Sequence, residues 1–264
     1  LATLGLLTVG LFAWVEHRAS DPIIPGYFIR EKTLAVLGNL VTGAVMYSFI
    51  FFLPLFLRAV LRASPGTGLI PLTFSLVAGS ILGGRLITRY GTRTTSMLAA
   101  GVLVFGALAA TQLKASTPLF ALAIIGPCIG IGVGGLLVSM VITMQAGTPA
   151  AYMGVSSSLS QFMRNLGGLL SVNLLSAMQA AVFRSGLPLE LRSTLTQAGG
   201  AKGLAESLFS GAAEGGAQVI AAYTRASTTV FWACALLGGV ALLISFRLPR
   251  VRLESEAHQE AEAH

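Results

Sequence analysis

The chain has 264 residues, of which 54% are hydrophobic and only 10% charged, with a net charge of +7 and a mean hydropathy of +0.79. A soluble domain carries roughly 25% charged residues, so an ordinary water-facing fold, a disordered chain and a disulfide scaffold are excluded. What remains is an all-α, polytopic membrane protein, because the apolar runs are about twenty residues long rather than alternating strands of about ten.

Residues 1–15 are apolar from Leu1 to Val15, without the basic start and small-residue cleavage site of a signal peptide. Too short to span, they read as the end of a truncated transmembrane helix. Residues 16–33 form a connection. Six full spans are expected at 34–57, 67–87, 94–113, 119–144, 153–183 and 226–246. A long Gly/Ala-rich outer loop covers 184–224, with short surface helices around 203–223, and a polar tail covers 247–264.

Orientation follows from lysine and arginine. Arg18, Arg30, Lys32, Arg85, Arg89, Arg93, Arg247, Arg250 and Arg252 fall on one side, against Arg58, Arg62 and Lys114 in the short loops of the other. The positive-inside rule puts the 85–93 connection and the C-terminus in the cytoplasm. The basic residues therefore set topology, and no nucleic-acid partner is expected. Cys128 and Cys234 sit inside apolar runs and read as packing residues.

No Asp or Glu occurs between Glu31 and Glu190, and no His between His17 and His258. Metal sites, cofactor sites, paired-carboxylate catalysis and proton relays lack their residues in this stretch. An enzyme is disfavoured.

The remaining polar groups are neutral and ordered. Within 153–183, Ser158, Gln161, Asn165, Ser176 and Gln179 fall on an arc of about 60° at helical spacing. Such a stripe faces other helices or water. It is either the wall of a substrate cavity or a row of interhelical hydrogen bonds. Arg164 borders it and either lies deep or snorkels to the interface. A smaller stripe on 34–57 includes Asn39 and Tyr47. In the fourth span Gly126, Gly130 and Gly134 form small-xxx-small pairs beside Pro127, which allow close packing or a bending point.

The segment 84–93 reads Gly-Arg-Leu-Ile-Thr-Arg-Tyr-Gly-Thr-Arg. It resembles the signature loop of the major facilitator superfamily, G-x-L-x-D-R-x-G-x-[RK]. Gly84, Leu86, Arg89, Gly91 and Arg93 match, and Thr88 stands where the family has Asp. Ser64-Pro65-Gly66-Thr67-Gly68-Leu69, Gly154-Val155-Ser156-Ser157-Ser158 and Arg164-Asn165-Leu166-Gly167-Gly168 look like the fourteen-helix drug:proton antiporter branch. A twelve-helix member is the alternative.

The resemblance implies a six-helix C-terminal bundle over 34–246, alternating access and a cytoplasmic gate at 84–93. It also implies export of small amphipathic compounds from a bacterial inner membrane, with protons entering through the missing N-terminal half. A facilitator of another solute, or a non-transporting scaffold or receptor, are the rival readings. The sequence leaves a periplasmic adaptor open.

Overall fold

The computed structural model describes residues 32–64, 66–114, 116–187 and 216–249. The expected truncated helix, most of the first connection, most of the outer loop and nearly all of the tail lie outside them. The described residues are helical, with no strand among them.

Five helices are long and apolar enough to cross a membrane. Helix α1 is Thr33–Val60, α2 Gly66–Thr111, α3 Leu122–Gln145, α4 Met153–Ser185 and α5 Gly216–Arg247. Single 3-10 turns at Leu119–Ala121 and Ala150–Tyr152 lead into α3 and α4. At 1.5 Å per residue a straight α2 would be about 69 Å long, more than twice a hydrocarbon core of about 30 Å. It is not straight. Gly91 has φ 80° and ψ 169°, a conformation open to a residue without a Cβ. The chain doubles back there. A Cβ on Gly79 would lie 2.5 Å from the Ile131 carbonyl oxygen, and one on Gly132 would lie 2.6 Å from Leu103. Neighbouring positions of α3 thus meet both arms of α2, so α3 lies along a helical hairpin. Six membrane-length segments result.

This corrects the reading of 84–93 as a loop. Helix continues through Tyr90 and resumes at Thr92, so only Gly91 leaves helical geometry. The polar sequence there marks a helix end, not an unwound segment. The last helix also begins earlier than expected, at Gly216 rather than 226. Its first turns, through Arg225, mix Gln218, Thr224 and Arg225 with Val219, Ile220 and alanines, and alanine favours helix. Of the surface helices expected around 203–223, residues 216–223 belong to α5 and the rest lie outside the described residues.

Packing rests on small residues and aromatic rings. On α3, a Cβ on Gly130 would meet Ser75 and Leu72 of α2, and one on Gly134 would meet Leu76 and Ser80. Helix α3 runs unbroken past Pro127. Between α1 and α5, Phe231 stacks on Phe49 with centroids 6.0 Å apart and meets Phe56 edge-on at 5.7 Å. Between α1 and α4 the backbones themselves touch. A Cβ on Gly43 would strike the Arg164 carbonyl, and one on Gly167 would strike the Leu40 carbonyl.

Most buried hydroxyls bond within their own helix. Ser48, Ser139, Ser160 and Ser245 each donate to the carbonyl four residues back. Two buried polar atoms are left without a partner. Asn39 Nδ2 donates to Ala35 O at 2.9 Å, but Asn39 Oδ1 and Thr42 Oγ1 are fully buried with no partner among the described residues.

Opposite stability effects are expected at neighbouring positions. Gly167→Ala should cost about 1–3 kcal/mol, because backbone rather than a flexible side chain occupies the space. Thr42→Val should cost nothing or stabilise by up to about 1 kcal/mol, since the lost hydroxyl makes no hydrogen bond. Thermal midpoints of the detergent-solubilised full-length protein check both.

Candidate functional site

Helix α4 is the least buried of the five. Its glycines hold it tightly to α1. A Cβ on Gly168 would run into the Tyr47 ring, so that ring lies flat across the glycine. Tyr47 Oη then donates to Asn165 Oδ1 at 3.0 Å. Beneath this pair the Ser171 hydroxyl donates to Ala44 O at 2.8 Å and lies 3.0 Å from Ser48 Oγ. The crossing is therefore zipped by short polar contacts.

Beside the crossing lies an open groove of about 510 Å³. Tyr47, Asn165 and Asn173 supply its polar groups, and Ile50, Phe51 and Leu169 much of its apolar wall. Phe51 and Leu169 are exposed, while Tyr47 and Asn165 are half-buried. Asn173 Nδ2 donates to Leu169 O of its own helix at 2.7 Å, which fixes the amide along the groove wall. An apolar trough with a few fixed amide and phenol groups suits a small amphipathic molecule.

The polar stripe of α4 does not act as one surface. Asn165 joins Tyr47 in the groove. Gln161 and Ser158 are exposed on the helix before it, and Ser176 is half-buried beyond it. Gln179 turns to α5, donating to Ser227 Oγ at 3.1 Å. Arg164 is half-buried, with its backbone against Gly43. Asn39 is sealed inside the bundle, away from the groove. Asn173, Phe51 and Leu169 had not been singled out. Asn173 was within reach, lying eight positions after Asn165 and so about 80° around the helix.

At the end of the bundle that holds Gly91, Thr88 is exposed and donates to Arg85 O at 2.7 Å, within its own helix. Arg85 and Arg89 are exposed, and Arg93 is half-buried. The Arg89 guanidinium lies 5.6 Å from the Tyr90 ring centroid. Gly84 has open space around it, and Leu86 is half-buried. Thr92 Oγ1 donates to Pro249 O at 3.1 Å, which ties the hairpin bend to the end of α5. Lys32 Nζ bonds to Ala146 O, joining the start of α1 to the end of α3. No group of three or more metal-ligating side chains exists among the described residues.

Residues 3–172 match the sequence model of the Major Facilitator Superfamily. The chain belongs to that superfamily. Its family is one of membrane transporters, not of enzymes. The multidrug transporter protein MdtP of Bacillus subtilis (strain 168) is 29% identical over 234 residues, covering 80% of this chain and 43% of that protein. The tetracycline resistance determinant of Streptomyces rimosus is 28% identical over 191 residues, covering 69% and 54%. This superfamily chain thus spans about half the length of the curated relatives it matches. Among solved structures, a bacterial homolog of the human lysosomal transporter Spinster, inward-facing and unoccupied, aligns with a TM-score of 0.64 at 17% identity. That alignment covers 85% of this chain and 50% of the other. The shared fold is that of the superfamily.

Removing the interhelical hydrogen bond separates its two roles. Tyr47→Phe should lower stability by about 0.6 kcal/mol, the average for such a bond in a membrane bundle. A loss as large as that of Gly167→Ala would show that the polar contact, not the glycine approach, holds the crossing. Thermal midpoints of the two variants, measured side by side, decide between these.

Proposed function

We propose that the chain is the C-terminal bundle of a secondary transporter that works by alternating access and exports small amphipathic compounds in exchange for protons. The observation that carries this is the α1–α4 groove, where Tyr47, Asn165 and Asn173 are set in an apolar wall within two membrane-length helices. A groove of this kind binds by apolar contact and orients its occupant by a few hydrogen bonds. The names of the relatives support export, since they include a multidrug transporter and a tetracycline resistance determinant. The fourteen-helix arrangement and a bacterial inner membrane belong to the same reading.

Proton coupling, on this proposal, resides outside the bundle. No Asp, Glu or His occurs in 32–189 or 215–252, so no carboxylate or imidazole is there to carry a proton across. The excess of lysine and arginine at the Gly91 end assigns that end to the cytoplasm. Gln161 and Ser158 extend the polar face from the groove toward it.

Single cysteines from 158 to 179 in the full-length protein, on a Cys128→Ala background, test the cavity. Positions 158, 161, 165, 169 and 173 should react with a membrane-impermeant thiol reagent. Positions 160, 167, 171 and 175 should be protected. Position 179 is the sensitive one, because Gln179 is engaged with Ser227. Uniform protection along the whole face would argue for dry helix packing and against a cavity.

The 84–93 segment is assigned as the cytoplasmic gate. With Thr88 bonded within its own helix, any latch falls to Arg89 and Arg93, acting on carbonyls or carboxylates elsewhere in the protein. A contact present in one state alone biases the equilibrium between states. Arg89→Ala should therefore raise the cytoplasmic accessibility of cysteines at 161 and 165 while expression stays near normal. Unchanged accessibility and unchanged efflux would leave the arginines with topology as their role.

A further inference from the structure

We propose that the α1–α4 groove takes small amphipathic molecules that carry an anionic group, with Arg164 selecting the charge. This rests on the groove being the binding site and goes on to name the charge of its occupant.

The first observation is depth. At 1.5 Å per residue, Arg164 lies about 16 Å from Met153 along α4, and its contact Gly43 lies about 15 Å from Thr33 along α1. The other described cations stand toward the ends of the membrane-length segments. An ionisable group so far inside such a helix is costly and needs a partner.

The second is that the partner is missing. Arg164 is half-buried, yet it makes no hydrogen bond or ion pair among the described residues, which contain no Asp or Glu. A guanidinium has five N–H donors and keeps its charge. Its counter-charge comes from outside the described residues.

The third is where the charge stands. Gly168, one turn on along the same face of α4, lines the groove and has no side chain. Asn165, the next residue, lines it too, and its amide oxygen accepts the Tyr47 hydroxyl at 3.0 Å. The Arg164 charge acts electrostatically on that same tyrosine. Tyr47, Asn165 and Asn173 are neutral and the remaining wall is apolar, so the arginine sets the sign of the potential in the groove.

A sulfonate, carboxylate or phenolate on an apolar body matches this arrangement. The body rests on Ile50, Phe51 and Leu169, and the anion turns toward Arg164. A cationic amphipath meets repulsion there, with no acid among the described residues to offset it.

The test uses the full-length protein in a non-ionic detergent, with Leu169→Cys on a Cys128→Ala background as reporter. Its rate of reaction with a neutral maleimide is read by mass spectrometry. Three probes share one ring system: naphthalene-2-sulfonate, naphthalene-2-methanol and a naphthyl trimethylammonium ion. A unit charge about 12 Å away, at an effective dielectric of about 20, changes affinity about tenfold. The sulfonate should therefore half-protect the reporter at about one tenth of the alcohol's concentration, and the ammonium ion should protect more weakly than the alcohol. Adding Arg164→Gln should bring the three together. Arg164→Lys should keep the order, which separates loss of charge from loss of fold, and so should Arg184→Gln at the far end of α4. Equal protection by all three with Arg164 intact overturns the proposal but leaves the groove as a site, its arginine neutralised by a carboxylate elsewhere in the protein. Stronger protection by the ammonium ion overturns it in the same way, as does an order unchanged in Arg164→Gln or equally lost in Arg184→Gln. Protection by none of the three removes the groove as a site, and the proposal with it.

Discussion

The contact of two backbones at Gly43 and Gly167 is the constraint on which the rest of the candidate site depends. Between helices in a bilayer the hydrophobic effect supplies no net attraction, because lipid tails are as apolar as leucine. The described residues also lack the carboxylates that would let the arginines pair internally. What is left is dispersion at close range, which falls away quickly with any gap. Glycine permits the shortest approach. Where α1 and α4 use it, the backbone of one helix seats against the carbonyls of the other. The crossing point is thereby fixed. Tyr47 lies over Gly168 just there, and the groove opens beside it.

The polar residues divide by the same geometry. At the crossing, the Ser171 hydroxyl donates to Ala44 O and lies 3.0 Å from Ser48 Oγ. Deeper in the helices, Ser139, Thr143 and Ser245 return their protons to their own backbone and need no partner. These hydroxyls are consumed by structure. Asn165 and Tyr47 bond across two helices at the edge of an open volume, where a solute or water could compete for the same groups. Polarity alone therefore does not mark a site in such a bundle. Polarity at the edge of an open groove does.

This explains which features the sequence disclosed. The helices, the polar arc of α4 and the glycine row of α3 repeat with the period of a single helix, so they need no knowledge of a partner. The groove needs two helices and their crossing. Phe51 and Leu169 look like any lipid-facing residues until α1 and α4 are placed, and Gln179 looks like Gln161 until Ser227 of α5 stands opposite it. The bend at Gly91 was half legible. Glycine flanked by polar residues indicates a break, but a loop and a one-residue reversal have the same composition. The start of α5 was hidden for another reason. A hydropathy reading stops where the lipid would stop, while a helix stops where its hydrogen bonds stop. At about 48 Å for 32 residues, α5 is longer than the hydrocarbon core alone requires.

The same composition bears on how the bundle can respond to its surroundings. Asp, Glu and His, the side chains that ordinarily titrate below about pH 7, are absent from the described residues. No protonation event of theirs can reshape the helices from within. What can act on the described helices is contact, for example a neighbouring element pressing on the exposed face of α4. The packing suits that role. Glycine-backed crossings leave little room for gradual deformation, so a push at one helix moves its partner with it. The α2 hairpin is coupled to α5 through Thr92 and Pro249, and α1 to α3 through Lys32 and Ala146. Both ties lie at the Gly91 end. At the same end the Ser156 hydroxyl of α4 donates to Met144 O of α3 at 3.0 Å, so a force applied there reaches α4 as well, and with it one wall of the groove.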